Sequence, residues 1–167
     1  MPYDRLLRHR SSEPGASYHL SFCTVDRQPL LTQPEAARIA KAAIEEQAAR
    51  GHCINHTWVL MPDHVHWLLS LTEASCLPFV VAACKANSAR AMKGIGLVDG
   101  SPWQPKYYEH KIRADEDLQQ QARYLIANPL RAGLVSRLAD YPWWWAQWAG
   151  APHGPMNAGA AGEDLLW

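Results

Sequence analysis

Two histidines separated by one residue, His64-Val65-His66, are the first place where this sequence could do chemistry. On a β-strand, side chains two apart share a face, so both imidazoles point one way while Val65, Trp67, Leu69 and Leu71 point the other. Two neighbouring imidazoles are half of a divalent-metal site. The pattern is common by chance, however, and alone it is equally satisfied by the solvated face of a sheet. A second pair lies far down the chain, Tyr124 and Asn128, four residues apart and therefore on one face of a helix. The core stripe of that helix is Leu118, Ala122 and Leu125, and Tyr124 lies away from it. A hydroxyl and an amide oxygen one turn below it can then meet the two histidines across a gap between sheet and helix. Taken singly, Tyr124 is also explained as a tyrosine at the rim of a core, and Asn128 as the residue that ends a helix before Pro129.

The elements that must position these groups are legible from periodicity. Tyr18 to Val25 alternates as a strand. Pro34 to Arg50 has helical spacing, with Thr32 as a candidate cap, Pro34 in the first turn and Gly51 as the stop. Cys53 to Leu60 and His64 to Leu71 flank the turn Met61-Pro62-Asp63 as two strands. A second helix is expected from Pro78 to Lys93, ended by Gly94 and Gly96, and the next strand within Trp103 to Ile112. The acidic run Asp115-Glu116-Asp117 suits the N-terminal dipole of a third helix that ends near Asn128-Pro129. The order β-α-β-β-α-β followed by a helix is that of an α+β, ferredoxin-like (RRM-like) α/β sandwich: an antiparallel sheet with helices on one face, plus a C-terminal tyrosine helix. One domain is expected over residues 1–148, and a flexible, acidic Gly/Ala/Pro-rich tail over 149–167. Eight tryptophans are present, four of them between Trp143 and Trp148, and these read as an aromatic cluster closing the C-terminal edge of the core.

With the elements in place, longer motifs become recognisable. Met61-Pro62-Asp63-His64-Val65-His66-Trp67-Leu68-Leu69 resembles the His-hydrophobic-His segment of the single-tyrosine HUH transposases. Tyr124 to Val135 (YLIANPLRAGLV) resembles the tyrosine-helix motif of the REP-associated branch. The segments Trp103-Gln104 through Tyr107-Tyr108-Glu109-His110, and Tyr141-Pro142-Trp143, are similar to that branch as well. The likeness runs in the same order from about Tyr18 to Trp143.

The resemblance implies a metal-dependent single-stranded-DNA endonuclease and strand transferase acting on palindromic hairpins. It implies a Mg²⁺ or Mn²⁺ ion held by His64, His66 and Asn128, with Tyr124 as nucleophile; insertion-sequence relatives often carry Gln at the third ligand position. Such chemistry suits these residue types. A cation draws charge from the non-bridging oxygens of a phosphate. A free tyrosine, with a pKa of about 10, needs local positive charge to attack at neutral pH. The implied partners are single-stranded or hairpin DNA of REP-like sequence, with the protein a monomer or homodimer. Two rivals remain at this point: a catalytically inactive hairpin-binding module of the same fold, and a zinc hydrolase built on His64 and His66. The second lacks a carboxylate on the histidine face, since alternation turns Asp63 away.

The net charge of zero, from 16 Lys plus Arg and 16 Asp plus Glu, argues at first against a nucleic-acid partner. Resolved by segment, it is uneven: +2 over residues 1–10, −3 over 11–84, +4 over 85–113, balanced over 114–137 and −3 over 138–167. Candidate DNA contacts are Arg5, Arg8 and Arg10, then Lys85, Arg90, Lys93, Lys106, His110, Lys111 and Arg113, and on or after the tyrosine helix Arg123 and Arg131. The basic stretch is expected to lie beside that helix. His19, His52 and His56 read as structural or surface histidines. Cys23, Cys53, Cys76 and Cys84 show no CxxC spacing and are expected to be reduced, buried thiols of a cytoplasmic protein. The start of the chain has no apolar targeting segment, and the longest apolar stretch is too short to span a bilayer, so no membrane association is expected.

Overall fold

Alternation of apolar and polar residues along five strands decides how the chain folds. In the computed structural model, which describes residues 12–113 and 116–149, the strands are β1 (Ser17–Cys23), β2 (Cys53–Met61), β3 (His64–Leu71), β4 (Tyr108–Lys111) and β5 (Trp144–Ala146). They form one antiparallel sheet in the order β4-β1-β3-β2-β5. The helices are α1 (Pro34–Ala49), α2 (Leu77–Gly94), α3 (Leu118–Ile126) and the single turn α4 (Asn128–Arg131).

Each face of the sheet has its own core. On one, Tyr18, Leu20 and Phe22 of β1 and Val65, Trp67, Leu69 and Leu71 of β3 pack against α1 (Ala36, Ala40, Ile44) and α2 (Val80, Val81, Cys84). On the other, Val59 and Met61 of β2 and Leu68 of β3 receive Ala122, Leu125 and Ile126 of α3, closed by Leu138 and Ala146. The molecule is therefore an α+β sandwich with α1 and α2 on one face and the tyrosine helix on the other, as the element order implies. The tryptophans close both layers: Trp143 and Trp145 lie against the first core, Trp144 and Trp148 against the second. The same segment also extends the sheet, because β5 pairs with β2 through Thr57 to Val59.

Several sequence expectations are corrected in detail. Thr32 does not cap α1; its hydroxyl donates to the Pro29 carbonyl within a 3-10 turn, and Gln33 is the N-cap residue. Gly51, at φ +75°, ends that helix, with the His52 amide bonded back to Gln47. The expected strand from Trp103 to Ile112 is reduced to Tyr108–Lys111, with Trp103 making an isolated bridge to Thr24, since Pro105 interrupts the ladder. The third helix begins at Leu118, where Asp117 caps it by accepting from the amides of Gln119 and Gln120. The thiols divide: Cys53 and Cys84 are buried, Cys23 is half-buried and Cys76 is exposed. Among the described residues no helix is long and apolar enough to cross a membrane. The expected tail lies outside the described residues, apart from Ala149.

Candidate active site

The β2–β3 hairpin delivers the histidine pair. Val65 and Trp67 are fully buried against α1 and α2, which fixes the register of β3 and turns His64 and His66 to the opposite face, half-buried. There the Nε2 atoms of the two imidazoles lie 3.2 Å apart. Their other nitrogens are both occupied. Nδ1 of His64 is 2.5 Å from Oδ1 of Asp63, and Nδ1 of His66 is 3.2 Å from Nε2 of His19. A carboxylate can only accept, so His64 donates from Nδ1 and turns its Nε2 toward His66. The same tautomer follows for His66 when His19 accepts from it. Burial, and after it the proximity of the ionisable groups His64, His19, Arg131 and Arg27, pushes the His66 pKa down to about 3. Burial and the neighbouring His110 push that of His19 to about 4. Both rings are thus neutral at pH 7, the form that coordinates cations.

At 3.2 Å the Nε2 atoms are at hydrogen-bond distance when one of them is protonated. With both unprotonated, the pair would offer two donors to a cation. The imidazole pair therefore fits a divalent ion, and its outer nitrogens are held by a carboxylate and a third ring, as ligand histidines are. No three His, Cys, Asp or Glu side chains converge as a cation cage among the described residues.

Asn128 lies four residues after Tyr124, at the start of α4. Its position reflects local backbone chemistry: Pro129 lacks the N–H that would bond to the Leu125 carbonyl one turn back. Nδ2 of Asn128 supplies the missing donor to Leu125 O at 2.8 Å. This leaves Oδ1 as the outward group, and it accepts from Nη2 of Arg131 at 2.6 Å. Arg131 also donates from Nη1 to the Tyr124 carbonyl at 2.9 Å, and its guanidinium lies 3.9 Å over the Tyr124 ring. Tyr124 itself is 61% exposed, on the side of α3 away from Ala122, Leu125 and Ile126. The Arg131 charge acts on both Tyr124 and His66, linking the two halves of the site.

Asp63 and His19 are the groups that sequence reasoning placed wrongly. Asp63 lies in the turn rather than on the strand, so alternation does not govern it, and its carboxylate reaches back to His64. His19 is no surface histidine: β1 pairs with β3, placing Ser21 opposite His66 and His19 on the same face. The signal was available, since Tyr18, Leu20 and Phe22 commit His19 to the other face, but it required knowing that these two strands are neighbours. His56 and His52 are structural as expected; His56 bonds Ser70 and Gln147, and His52 bonds Gln47.

The basic residues do not form the single patch expected beside the tyrosine helix. Arg90 and Lys93 are carried by α2, which covers the opposite face of the sheet from α3. Lys85 is tied inward: its ammonium donates to the carbonyls of Gln104 and Lys106 and lies over the Phe22 and Tyr107 rings. Lys111 is paired with Glu13 at 2.5 Å. His110 pairs with Glu116 and shares the face of His19, opposite which it lies in the β1–β4 ladder. Lys106 lies in the loop before β4 and Arg113 just after it, where Arg113 helps line a cavity of about 540 Å³ with Gly15, Lys111 and Glu116. Arg123 lies in the last turn of α3 and Arg131 at the end of α4. Arg5, Arg8 and Arg10 fall outside the described residues. One arginine that sequence reasoning passed over, Arg27, does approach the site; its Nη1 is 3.5 Å from Asp63 Oδ2 and donates to Cys23 Sγ at 3.2 Å. It is held there by two successive residues with left-handed backbone, Asp26 (φ 51°) and Arg27 (φ 55°). A conformation of that kind costs a non-glycine residue about 1–2 kcal/mol.

Residues 13–128 match the family model described as Transposase IS200 like. The chain belongs to the IS200-like transposase family. Among its relatives, the REP-associated tyrosine transposase of Escherichia coli is 25% identical over 128 residues, covering 77% of this chain and 74% of that protein. The ISDra2 transposase TnpA of Deinococcus radiodurans is 36% identical over 96 residues, covering 54% of this chain and 68% of that one. The solved structure of a REP-associated tyrosine transposase bound to a REP hairpin superimposes with a TM-score of 0.68 at 24% identity, covering 81% of this chain and 79% of that one. The fold of this IS200-like transposase is therefore that of the hairpin-bound structure.

Proposed function

We propose that this transposase is a metal-assisted, site-specific endonuclease and strand transferase for single-stranded hairpin DNA, working through a covalent phosphotyrosine. The observation that carries the reading is the convergence of two features on one face of the sheet. One is a pair of imidazole Nε2 atoms 3.2 Å apart; the other is an exposed tyrosine under an arginine, on the helix packed over that face. His64, His66 and Asn128 would hold a Mg²⁺ or Mn²⁺ ion, which supplies electrophilic activation of a phosphodiester when bound.

The chain's own residues supply the rest. Asp63 and His19 orient the two ligand rings. Arg131 sets the Tyr124 ring, lying over its face and bonded to its carbonyl. Attack of Tyr124 Oη on the scissile phosphorus forms a P–O bond to the tyrosine and breaks the bond to the 3′ oxygen. The products are a 5′-phosphotyrosine and a free 3′-hydroxyl. The bond energy is retained, so the same or another 3′-hydroxyl reverses the step without an external energy source. Hairpin DNA as substrate is supported by the solved relative of the same fold, which is bound to a REP hairpin.

The test is a denaturing gel of protein incubated with Mn²⁺ and a labelled palindromic oligonucleotide taken from its own flanking DNA. A protein–DNA adduct is expected with the wild type, abolished in Tyr124→Phe with hairpin affinity retained, and lost on chelation. Cleavage that persists in Tyr124→Phe overturns the assignment of the nucleophile. Metal-independent hairpin binding with no adduct in the wild type overturns the catalytic reading altogether.

A further inference from the structure

We propose that Arg27 and Arg131 together form a guanidinium clamp that holds the scissile phosphate beside the His64–His66 pair. This rests on the endonuclease reading above and adds to it the residues that seat the reacting group. The two arginines come from different elements, Arg27 from the turn after β1 and Arg131 from α4. Each is tethered to a group that frames the site. Arg27 reaches the free oxygen of Asp63, whose other oxygen holds His64, while Arg131 binds Asn128 and covers Tyr124. Val59 and Met61, which pair with His66 and His64 in the β2–β3 ladder, lie in the core covered by α3, so α3 and α4 border the histidine pair.

Neither arginine is explained by stability alone. The Arg27 side chain is 56% exposed, and its ion pair, at 3.5 Å, is of the exposed kind that contributes little. Yet two successive residues adopt left-handed backbone to place it. The turn itself is closed by hydrogen bonds from Arg27 N to Thr24 O, Gln28 N to Val25 O and Thr24 Oγ1 to Gln28 O, none of which uses the Arg27 side chain. Arg131 bonds two neutral oxygens, leaving its charge without a carboxylate partner in those contacts. A phosphodiester supplies the missing anion, and guanidinium forks match its oxygens. A cation held by Asn128 would release Arg131 from that side chain toward the phosphate, so cation and DNA binding would reinforce each other.

The strained turn allows folding and function to be separated. Glycine tolerates positive φ, so Arg27→Gly should keep or raise the melting temperature while reducing adduct formation at least tenfold. A purely structural Arg27 would lower both. The direct test maps the cleaved phosphate with wild type, then measures hairpin affinity in a Tyr124→Phe background. Two oligonucleotides are compared, one native and one carrying a neutral methylphosphonate at that position. Neutralising the phosphate should weaken binding about tenfold in Tyr124→Phe. It should weaken it much less once Arg27→Gly or Arg131→Gln is added, because the partner is already gone. Fully additive losses, or unchanged affinity in both arginine variants, overturn the clamp. A wild type that forms adducts while both variants cleave normally sinks the clamp and leaves the endonuclease reading standing; a wild type without adducts sinks that reading instead.

Discussion

Nδ1 of His66 lies 3.2 Å from Nε2 of His19, a contact between neighbouring strands separated by 47 residues in sequence. When His19 accepts in this contact, the His66 ring is held in the tautomer that bares Nε2. Outer partners of ligand histidines typically account for about 10–100-fold in metal affinity. His19→Ala should therefore weaken Mn²⁺ binding to the DNA-free protein by about that factor, while His19→Gln, which keeps an acceptor, should recover part of it. Titration calorimetry or the Mn²⁺ spin-resonance signal reads this directly, and unchanged affinity in His19→Ala would remove the role.

Asn128 has two roles that can be separated genetically. Its Nδ2 satisfies the carbonyl left open by Pro129, and its Oδ1 is the proposed third donor to the cation. Asn128→Ala should cost about 1 kcal/mol of stability through the orphaned carbonyl, together with cation affinity. Adding Pro129→Ala restores a backbone donor, so the double variant should regain stability without regaining cation affinity. Thermal melts and Mn²⁺ titrations on the three proteins check both halves; recovery of both properties together would show Asn128 to be structural only.

The histidine face, the Tyr124 orientation and the sandwich were legible because each depends on periodicity within one segment. Val65 and Trp67 bury one face of β3 whatever lies beside it, and Ala122 with Leu125 does the same for α3. What periodicity cannot supply is which strands are neighbours. That is why His19 escaped notice as a partner of His66, and why Arg90 and Lys93 were grouped with the tyrosine helix although α2 lies across the sheet. Turns are the other blind spot. Asp63 and Arg27 act from backbone conformations that follow no alternation, and their positions emerge only with the hairpin and the left-handed turn. The short β5 was hidden by its own composition, since consecutive tryptophans show no alternating pattern at all.

His56 gives the fold a predictable acid limb. It lies at the register irregularity of β2, between Asn55 and Thr57, bonded to Ser70 Oγ at 2.6 Å and Gln147 Oε1 at 3.1 Å. Burial lowers its pKa below the ordinary 6.5. The unfolded chain therefore takes up a proton near pH 6.5 that the folded chain refuses until lower pH, and stability falls as pH drops through that window. The melting temperature of the metal-free protein should decline on acidification from about pH 7 to about 5, and less so in His56→Gln. An equal decline in the variant would assign the acid limb to other groups.

Leu125 should control the reach of Tyr124 without touching DNA. It is 1% exposed and sits in the core that joins α3 to Val59, Met61 and Leu68, whereas its neighbour Tyr124 projects outward. Truncation to alanine removes about 2–5 kcal/mol of packing. Tyr124→Phe, at an exposed position, should change stability by only about 0.5 kcal/mol or less. The loss in Leu125→Ala falls on the helix that carries Tyr124, and α1, α2 and the other core are not part of that contact. Adduct formation should consequently fall well before the sheet melts, and more steeply than hairpin affinity. Adduct yield, hairpin anisotropy and far-ultraviolet dichroism followed against temperature would show this ordering. Coincident loss of all three would instead make α3 part of one cooperative unit with the sheet.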